Sequence, residues 1–202
     1  VCDLGIQLDG TAHASATLAV DRVTCDGTPR LAIDTTLPAL EDGTVPGWIN
    51  DVDHLHGFVM HYRYPDIQGF GRNHGRGHLA TGTTDWRDYT FETDLVIHCA
   101  DVAGILVRYQ GLRRYLALVK TPTTLQLRRM CYEETVLAEV EMQWEVDEAH
   151  RLRITARGES IEACVDGTQV FSHTEDTLLR GGIGYVIETG VAGFQHLRVG
   201  EA

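Results

Sequence analysis

No stretch of this chain carries a convincing helix. Nowhere in its 202 residues do apolar side chains recur at the three-and-four spacing of an amphipathic helix over a useful length, which excludes helical bundles and alternating α/β folds. Internal repeats and low-complexity tracts are absent too. No run of 18 apolar residues and no signal-peptide pattern occurs, so a soluble chain is expected. The motifs HExxH, GxSxG and CxxC are all missing, and no nucleophile–base set is legible. Basic residues are scarce: 17 Lys and Arg stand against 29 Asp and Glu, for a net charge of -12. That balance argues against nucleic acid or an anionic membrane as partner, since both need clustered cations. A neutral glycan is left open. The cysteines number only five (Cys2, Cys25, Cys99, Cys131, Cys164), an odd set. Free thiols in a reduced compartment, cytoplasmic rather than secreted, are the expectation, with a Cys2–Cys25 pair left open. Val1 in place of Met suggests a processed chain or an excised piece.

What is present is the rhythm of a turn-rich β chain with 21 glycines. From Arg151 to Val199 it is plainest. Leu152, Ile154 and Ala156 alternate with Arg151, Arg153, Thr155 and Arg157, and a period of two is a half-buried strand. Gly158-Glu159 turns the chain, and Ile161, Ala163 and Val165 resume the alternation. Asp166-Gly167 signals a tight hairpin, because Gly tolerates the positive φ such turns need. Val170 and Phe171 start a third strand, Gly181-Gly182 opens a fourth, and a last strand runs through Phe194, Leu197 and Val199 with a bulge near Gln195-His196. The reading is an antiparallel meander with one apolar face, which must pack on a second sheet. Upstream, strands are expected over 102–110, 113–121 and 125–132, with Tyr115–Val119 apolar on both faces as in a covered central strand. Residues 48–66 are ambiguous between strand and short helix, and 69–78 reads as a glycine loop.

Residues 37–47 mix Pro, Gly and acids like a linker. The expected division is therefore 1–36, short strands that either complete the sandwich or end a preceding one, and 37–202, the main domain.

Four groups of residues bear on chemistry. Glu145 and Asp147 would share a strand face as an acid–nucleophile pair, but Glu148 points away and the segment precedes a turn, where acids are simply solvated. Asp51 and Asp53 could ligate a hard cation and His54 with His56 zinc or copper, but two ligands per face are too few. Gly69, Gly71, Gly75 and Gly77 fail the phosphate-loop spacing, with His74 where the last glycine belongs. The fourth group is polar and aromatic: Arg108, Tyr109, Arg113, Arg114, Tyr115, Arg128 and Arg129 on three strands, with Trp86 and Tyr89 at a nearby turn. Aromatic faces flanked by guanidinium donors suit sugar rings. The plainer reading puts the tyrosines in the core and the arginines against an acidic surface.

The segments GHLATGTTDWRDYTFETDL, AGILVRYQGLRRYLAL, RLRITARGESIEACVDGTQVF and GGIGYVIETGVAGFQHLRV resemble the concanavalin/laminin-G-like jelly rolls over residues 68–200. That class includes sugar-binding modules attached to fructan-degrading enzymes and keto-disaccharide hydrolase-like domains. WIND-VD at 48–53, TGTTDWRDY and QGLRRYLAL are also similar to the β-rich C-terminal region of some bacterial proteins of the ADP-ribosylglycohydrolase type. The resemblance implies an all-β, antiparallel two-sheet jelly-roll sandwich. It also implies an accessory role, and joined to the polar-aromatic group above this gives the expectation of a non-catalytic module that binds a glycan through Arg108, Tyr109, Arg113, Tyr115, Arg128 and Trp86 on its concave sheet, beside a neighbouring domain of its parent protein. No cofactor is expected. A structural calcium, which many members of this fold bind, stays open because no ligand set here matches by motif. The alternatives are a jelly-roll glycoside hydrolase or polysaccharide lyase, and a structural interdomain-contact domain.

Overall fold

The computed structural model describes residues 19, 29–33, 45–55 and 67–202, and all structural statements below concern these. They form an all-β, antiparallel, two-sheet jelly-roll sandwich, with no helix among them. The strands are β1 (Leu31–Ile33), β2 (Trp48–Asp51), β3 (His54–Leu55), β4 (Gln68–Thr81), β5 (Tyr89–Ile97), β6 (Val102–Gly111) and β7 (Arg114–Lys120). They continue as β8 (Thr124–Cys131), β9 (Glu133–Glu141), β10 (Ala149–Arg157), β11 (Ser160–Val165), β12 (Thr168–Thr174) and β13 (Gly182–Glu201).

One long strand ties the two sheets together. The first half of β13 pairs with β6 and with the second half of β4, giving the larger sheet the order β9-β8-β7-β6-β13-β4-β2. The second half of β13 pairs with β5, extending the other sheet as β12-β11-β10-β5-β13. Only the first half of β4 with the two-residue β3, and the three-residue β1, flank the β13 edge of these five strands, against seven strands in the larger sheet. Leu31–Ile33, from the N-terminal segment, thus pairs with Leu197–Val199 of the main sandwich.

The alternating residues face inward as their rhythm requires. Leu152, Ile154 and Ala156 of β10 and Ile161, Ala163 and Val165 of β11 meet Ile105, Val107, Leu116 and Leu118 of the larger sheet in one core. At the junction of the sheets Tyr185 stacks on Phe194 at 3.9 Å, with Phe70 and Phe91 against them. Two register shifts in β13, at Glu188–Gly190 and Gln195–Arg198, keep the core face inward along the whole strand. At the first, β4 advances four residues against two of β13, and at the second β13 has one residue more than β5; Ile187, Ala192, Phe194, Leu197 and Val199 all point to the core although their spacing breaks the period of two.

Three expectations are corrected. The glycine-rich run 69–78 is strand, not loop, because β4 lies between β13 and β2/β3, where bare backbone fits: a Cβ on Gly77 would stand 2.5 Å from the Asp51 carbonyl oxygen. The strands expected to open at Gly181-Gly182 and to close the chain are one continuous strand, β13. The C-terminal meander therefore ends with β12, and β13 pairs instead with β4, β5, β6 and β1. The ambiguous stretch yields β2 and β3, while 56–66, and with it His56, lies outside the described residues. The hairpin turn at Asp166-Gly167 has positive φ at both residues, 49° and 80°. The bulge expected near Gln195-His196 is there, with His196 at φ 52°.

Candidate functional site

The larger sheet carries a second apolar cluster on the face turned away from the core. Strand β7 explains it: Leu116 and Leu118 point inward, while Tyr115, Ala117 and Val119 point outward and are still buried. Ala80, Val102, Leu106, Tyr109 and Val186 join them from the neighbouring strands. Pairing aligns these residues in rows across the sheet. One row runs Asp51, His78, Val186, Gly104, Val119, Gln126, and the next runs Ala80, Gly184, Leu106, Ala117, Arg128.

His78 sits in the middle of this face, only 3% exposed. Its ring lies edge-on to Tyr115 at 5.1 Å and tilted to Tyr109 at 6.0 Å, and the two tyrosines stack at 6.1 Å. Both ring nitrogens of His78 lack a hydrogen-bond partner, as does the Tyr109 hydroxyl. Asp51 Oδ2 is 3.9 Å from His78 Nδ1, beyond hydrogen-bond reach. Burial, helped by the repulsion of Arg76 and Arg72, outweighs Asp51 and lowers the His78 pKa to about 4, so the ring is neutral near pH 7. Burial likewise pushes the Tyr109 hydroxyl up to about 12 and raises that of Tyr115.

A charged rim borders the aromatic floor. Arg76 donates through Nε to Glu188 at 2.7 Å and through one terminal nitrogen to the Tyr115 hydroxyl at 3.0 Å, and pairs with Glu134 at 2.6 Å. Burial works against its charge, but Tyr115, Glu188 and Glu134 together hold its pKa above the ordinary arginine value. Arg128 donates to Gln126 at 2.6 Å and to Glu134 at 3.3 Å. Two guanidiniums and two carboxylates thus line one small pocket with Tyr115, and their formal charges cancel. The pocket has an open volume of about 10 Å³, room for a single water or one hydroxyl, so a bound ring would rest across the rim rather than inside the pocket.

The structure brings three of the expected ligand residues to this face: Tyr109, Tyr115 and Arg128. The others lie elsewhere. A register shift after Val107, with φ 53° at Arg108, turns the Arg108 side chain into the protein, where it is fully buried. There it donates to the carbonyl oxygens of Leu178 at 2.7 Å and Gly158 at 2.5 Å. Trp86 packs edge-on to Tyr89 at 6.0 Å, against the main core. Arg113 sits in the β6–β7 turn and donates to the Tyr132 carbonyl at 2.6 Å. Glu145 and Asp147 share no strand face: both are exposed between β9 and β10, and Asp147 holds His98 Nδ1 at 2.5 Å. Asp51 and Asp53 both face the Arg72 guanidinium, at 3.6 and 3.3 Å, and His54 meets Asn73 at 3.0 Å. Among the described residues no three His, Cys, Asp or Glu side chains converge as a metal site would need.

Four residues of the site were not anticipated: Arg76, His78, Glu134 and Glu188. A signal existed for the first two, because Arg72, His74, Arg76, His78 and Ala80 recur at every second position through the glycines, as in a strand. Glu134 and Glu188 stand in strands whose alternation gave no hint of which acids meet an arginine.

No protein-family model matches the chain, and no curated protein matches it. Solved structures do. A carbohydrate-binding module of family 66 from Bacillus subtilis superposes with a TM-score of 0.66 at 15% identity, covering 77% of this chain and 96% of its own. A Bacillus subtilis protein of unknown function with a galectin-like fold gives 0.59 at 10% identity, with 76% and 89% covered. The alginate lyase AlgAT5, of polysaccharide lyase family 7, gives 0.55 at 14% identity, with 85% and 94% covered. At such identities the likeness is one of fold: this chain has the jelly-roll architecture those proteins share.

Proposed function

We propose that this chain is a non-catalytic carbohydrate-binding module, an accessory to a larger glycohydrolase-type protein, and that it holds a neutral glycan on the outer face of the larger sheet. The observation that carries the reading is His78, buried and neutral between Tyr109 and Tyr115, with both ring nitrogens unpartnered beside a rim of two arginines and two glutamates. Buried polar groups are normally satisfied, so unmet ones beside a pocket call for a ligand or water that supplies hydroxyls. The fold shared with a carbohydrate-binding module agrees with this.

The charge pattern bears on the alternative of a polysaccharide lyase or glycoside hydrolase. A lyase acting on a uronate needs a cation free to meet the substrate carboxylate, and here Arg76 and Arg128 are both engaged by glutamates. A hydrolase needs opposed carboxylic acids flanking the bond, and Glu134 and Glu188 are both held by Arg76 instead. The tie to proteins of the ADP-ribosylglycohydrolase type rests on sequence resemblance alone.

Calorimetric titration with neutral oligosaccharides tests the reading. Saturable binding is expected, weakened about tenfold or more by Arg128→Ala and by Glu134→Gln, as loss of a charge-assisted hydrogen bond implies. No binding by any member of the panel would falsify the proposal. Formation of an unsaturated sugar product from alginate, lost in His78→Gln, would establish the lyase alternative.

A further inference from the structure

A second cleft lies at the rim of the sandwich, between the segment joining β9 to β10 and the β11–β12 hairpin. Met142, Trp144, His150, Asp166 and Val170 line it, and it measures about 310 Å³. The Trp144 indole stacks on the His150 imidazole at 4.4 Å with 26° between the planes. Asp166, at the tip of the hairpin, accepts from the Arg151 backbone N–H at 2.9 Å and from His150 Nδ1 at 2.8 Å. With Nδ1 facing the Asp166 carboxylate, Nε2 is the remaining hydrogen-bonding atom of the His150 ring. That nitrogen is buried and unbonded, since Glu148 stands 3.7 Å away. The Trp144 Nε1–H, a donor only, is buried and unbonded as well.

The stack therefore carries two unmet polar atoms, the indole N–H and the imidazole Nε2, next to a carboxylate anchored by two hydrogen bonds and half exposed. A hydroxyl both accepts and donates, so it answers the indole and the imidazole alike, and a vicinal hydroxyl reaches Asp166. On the other side of the Asp166-Gly167 hairpin a polar trough continues along Asp94, Glu92, Arg151 and Arg153. An apolar cleft that opens into a polar trough fits a ring followed by further hydroxyl-bearing units.

We infer that this rim is a second binding site for a neutral saccharide, distinct from the His78 face, with Trp144 and His150 holding a terminal ring and Asp166 its hydroxyls. The two sites share no lining residue, which lets them be tested separately. The experiment titrates the whole chain, labelled with nitrogen-15, with neutral gluco-, galacto-, fructo- and xylo-oligosaccharides of four to six units and follows the three tryptophan indole N–H resonances. A saturable shift of the Trp144 resonance is expected, persisting in Arg128→Ala. It should weaken about tenfold in Asp166→Ala. Trp144→Phe keeps a ring and loses the N–H, so it controls for collapse of the rim; its binding, followed by calorimetry because the resonance is gone, should also weaken. If Arg128→Ala removes all binding while Asp166→Ala and Trp144→Phe bind like wild type, the rim site is refuted and the His78 site stands. If no sugar moves the Trp144 resonance, the unmet groups hold ordered water only and the inference fails. If the rim binds while the Arg128→Ala change has no effect, the rim stands and the reading of the His78 face falls.

Discussion

Tyr89 shows how one hydroxyl can fasten several strands. Fully buried, it donates toward the carbonyl oxygens of Gly181 and Gly182 at 2.9 and 3.0 Å and accepts from the Arg108 backbone N–H at 2.7 Å. Tyr89→Phe keeps the ring and strands those partners, so urea unfolding should report a loss of about 1–3 kcal/mol. His78 makes a different prediction. Its pKa is depressed to about 4 from 6.5, so below pH 6.5 the unfolded chain takes up a proton that the native chain refuses. Stability should then fall as pH drops from about 6.5 to 4, by roughly 3 kcal/mol in all. Urea midpoints measured at pH 7.5 and 5.0 should converge for His78→Gln relative to wild type, and equal pH slopes in the two proteins would contradict the burial of a neutral ring. Neither residue was legible as special in the sequence. Tyr89 reads only as an aromatic at a turn, and His78, one of ten histidines in the chain, falls in a run whose glycines read as a loop.

At the scale of the element, β13 and β6 carry the strain of the design. Gly104 lies where β6 and β7 crowd: a Cβ there would come 2.1 Å from the Leu118 carbonyl oxygen and 2.7 Å from Val119 Cα. Gly190 marks the bend of β13, at φ 134° and with the Cys99 carbonyl oxygen 2.0 Å from a would-be Cβ. Gly104→Ala should cost about 1–3 kcal/mol by overpacking. Gly200→Ala, in open space, should stay within about 0.5 kcal/mol of wild type. Equal thermal midpoints for the two variants would contradict the crowding. The strand rhythm of β10 to β12 was readable because each has one face on the core and one on water. The continuity of β13 was not, because its two shifts reset the alternation at Glu188–Gly190 and Gln195–Arg198 and imitate a break between strands. Four glycines among the first ten residues of β4 (Gly69, Gly71, Gly75 and Gly77) hid a strand, since glycine leaves no side chain to alternate.

For the whole molecule, a net charge of -12 and a candidate face whose charges cancel lead to one prediction. Binding of a neutral glycan should change less than about twofold between low and high salt, because no long-range attraction is there to be screened. Calorimetry at 50 and 500 mM sodium chloride would measure it, and a strong loss of affinity at high salt would point to an ionic ligand instead. The all-β class and the turns at Asp166-Gly167 and Gly158-Glu159 follow from local chemistry, the period of two and the φ that glycine permits, and the amino-acid order was enough to determine them. Which side chains meet is a matter of register between strands far apart in the chain. Tyr109, Tyr115 and Arg128 came together, while Arg108, the residue just before Tyr109, was turned inside by a bulge. Only the tertiary structure decided that Arg76 and His78 from β4, Tyr115 from β7, Glu134 from β9 and Glu188 from β13 share one face, because pairing partners are chosen by the packing of the whole sandwich rather than by the residues beside them.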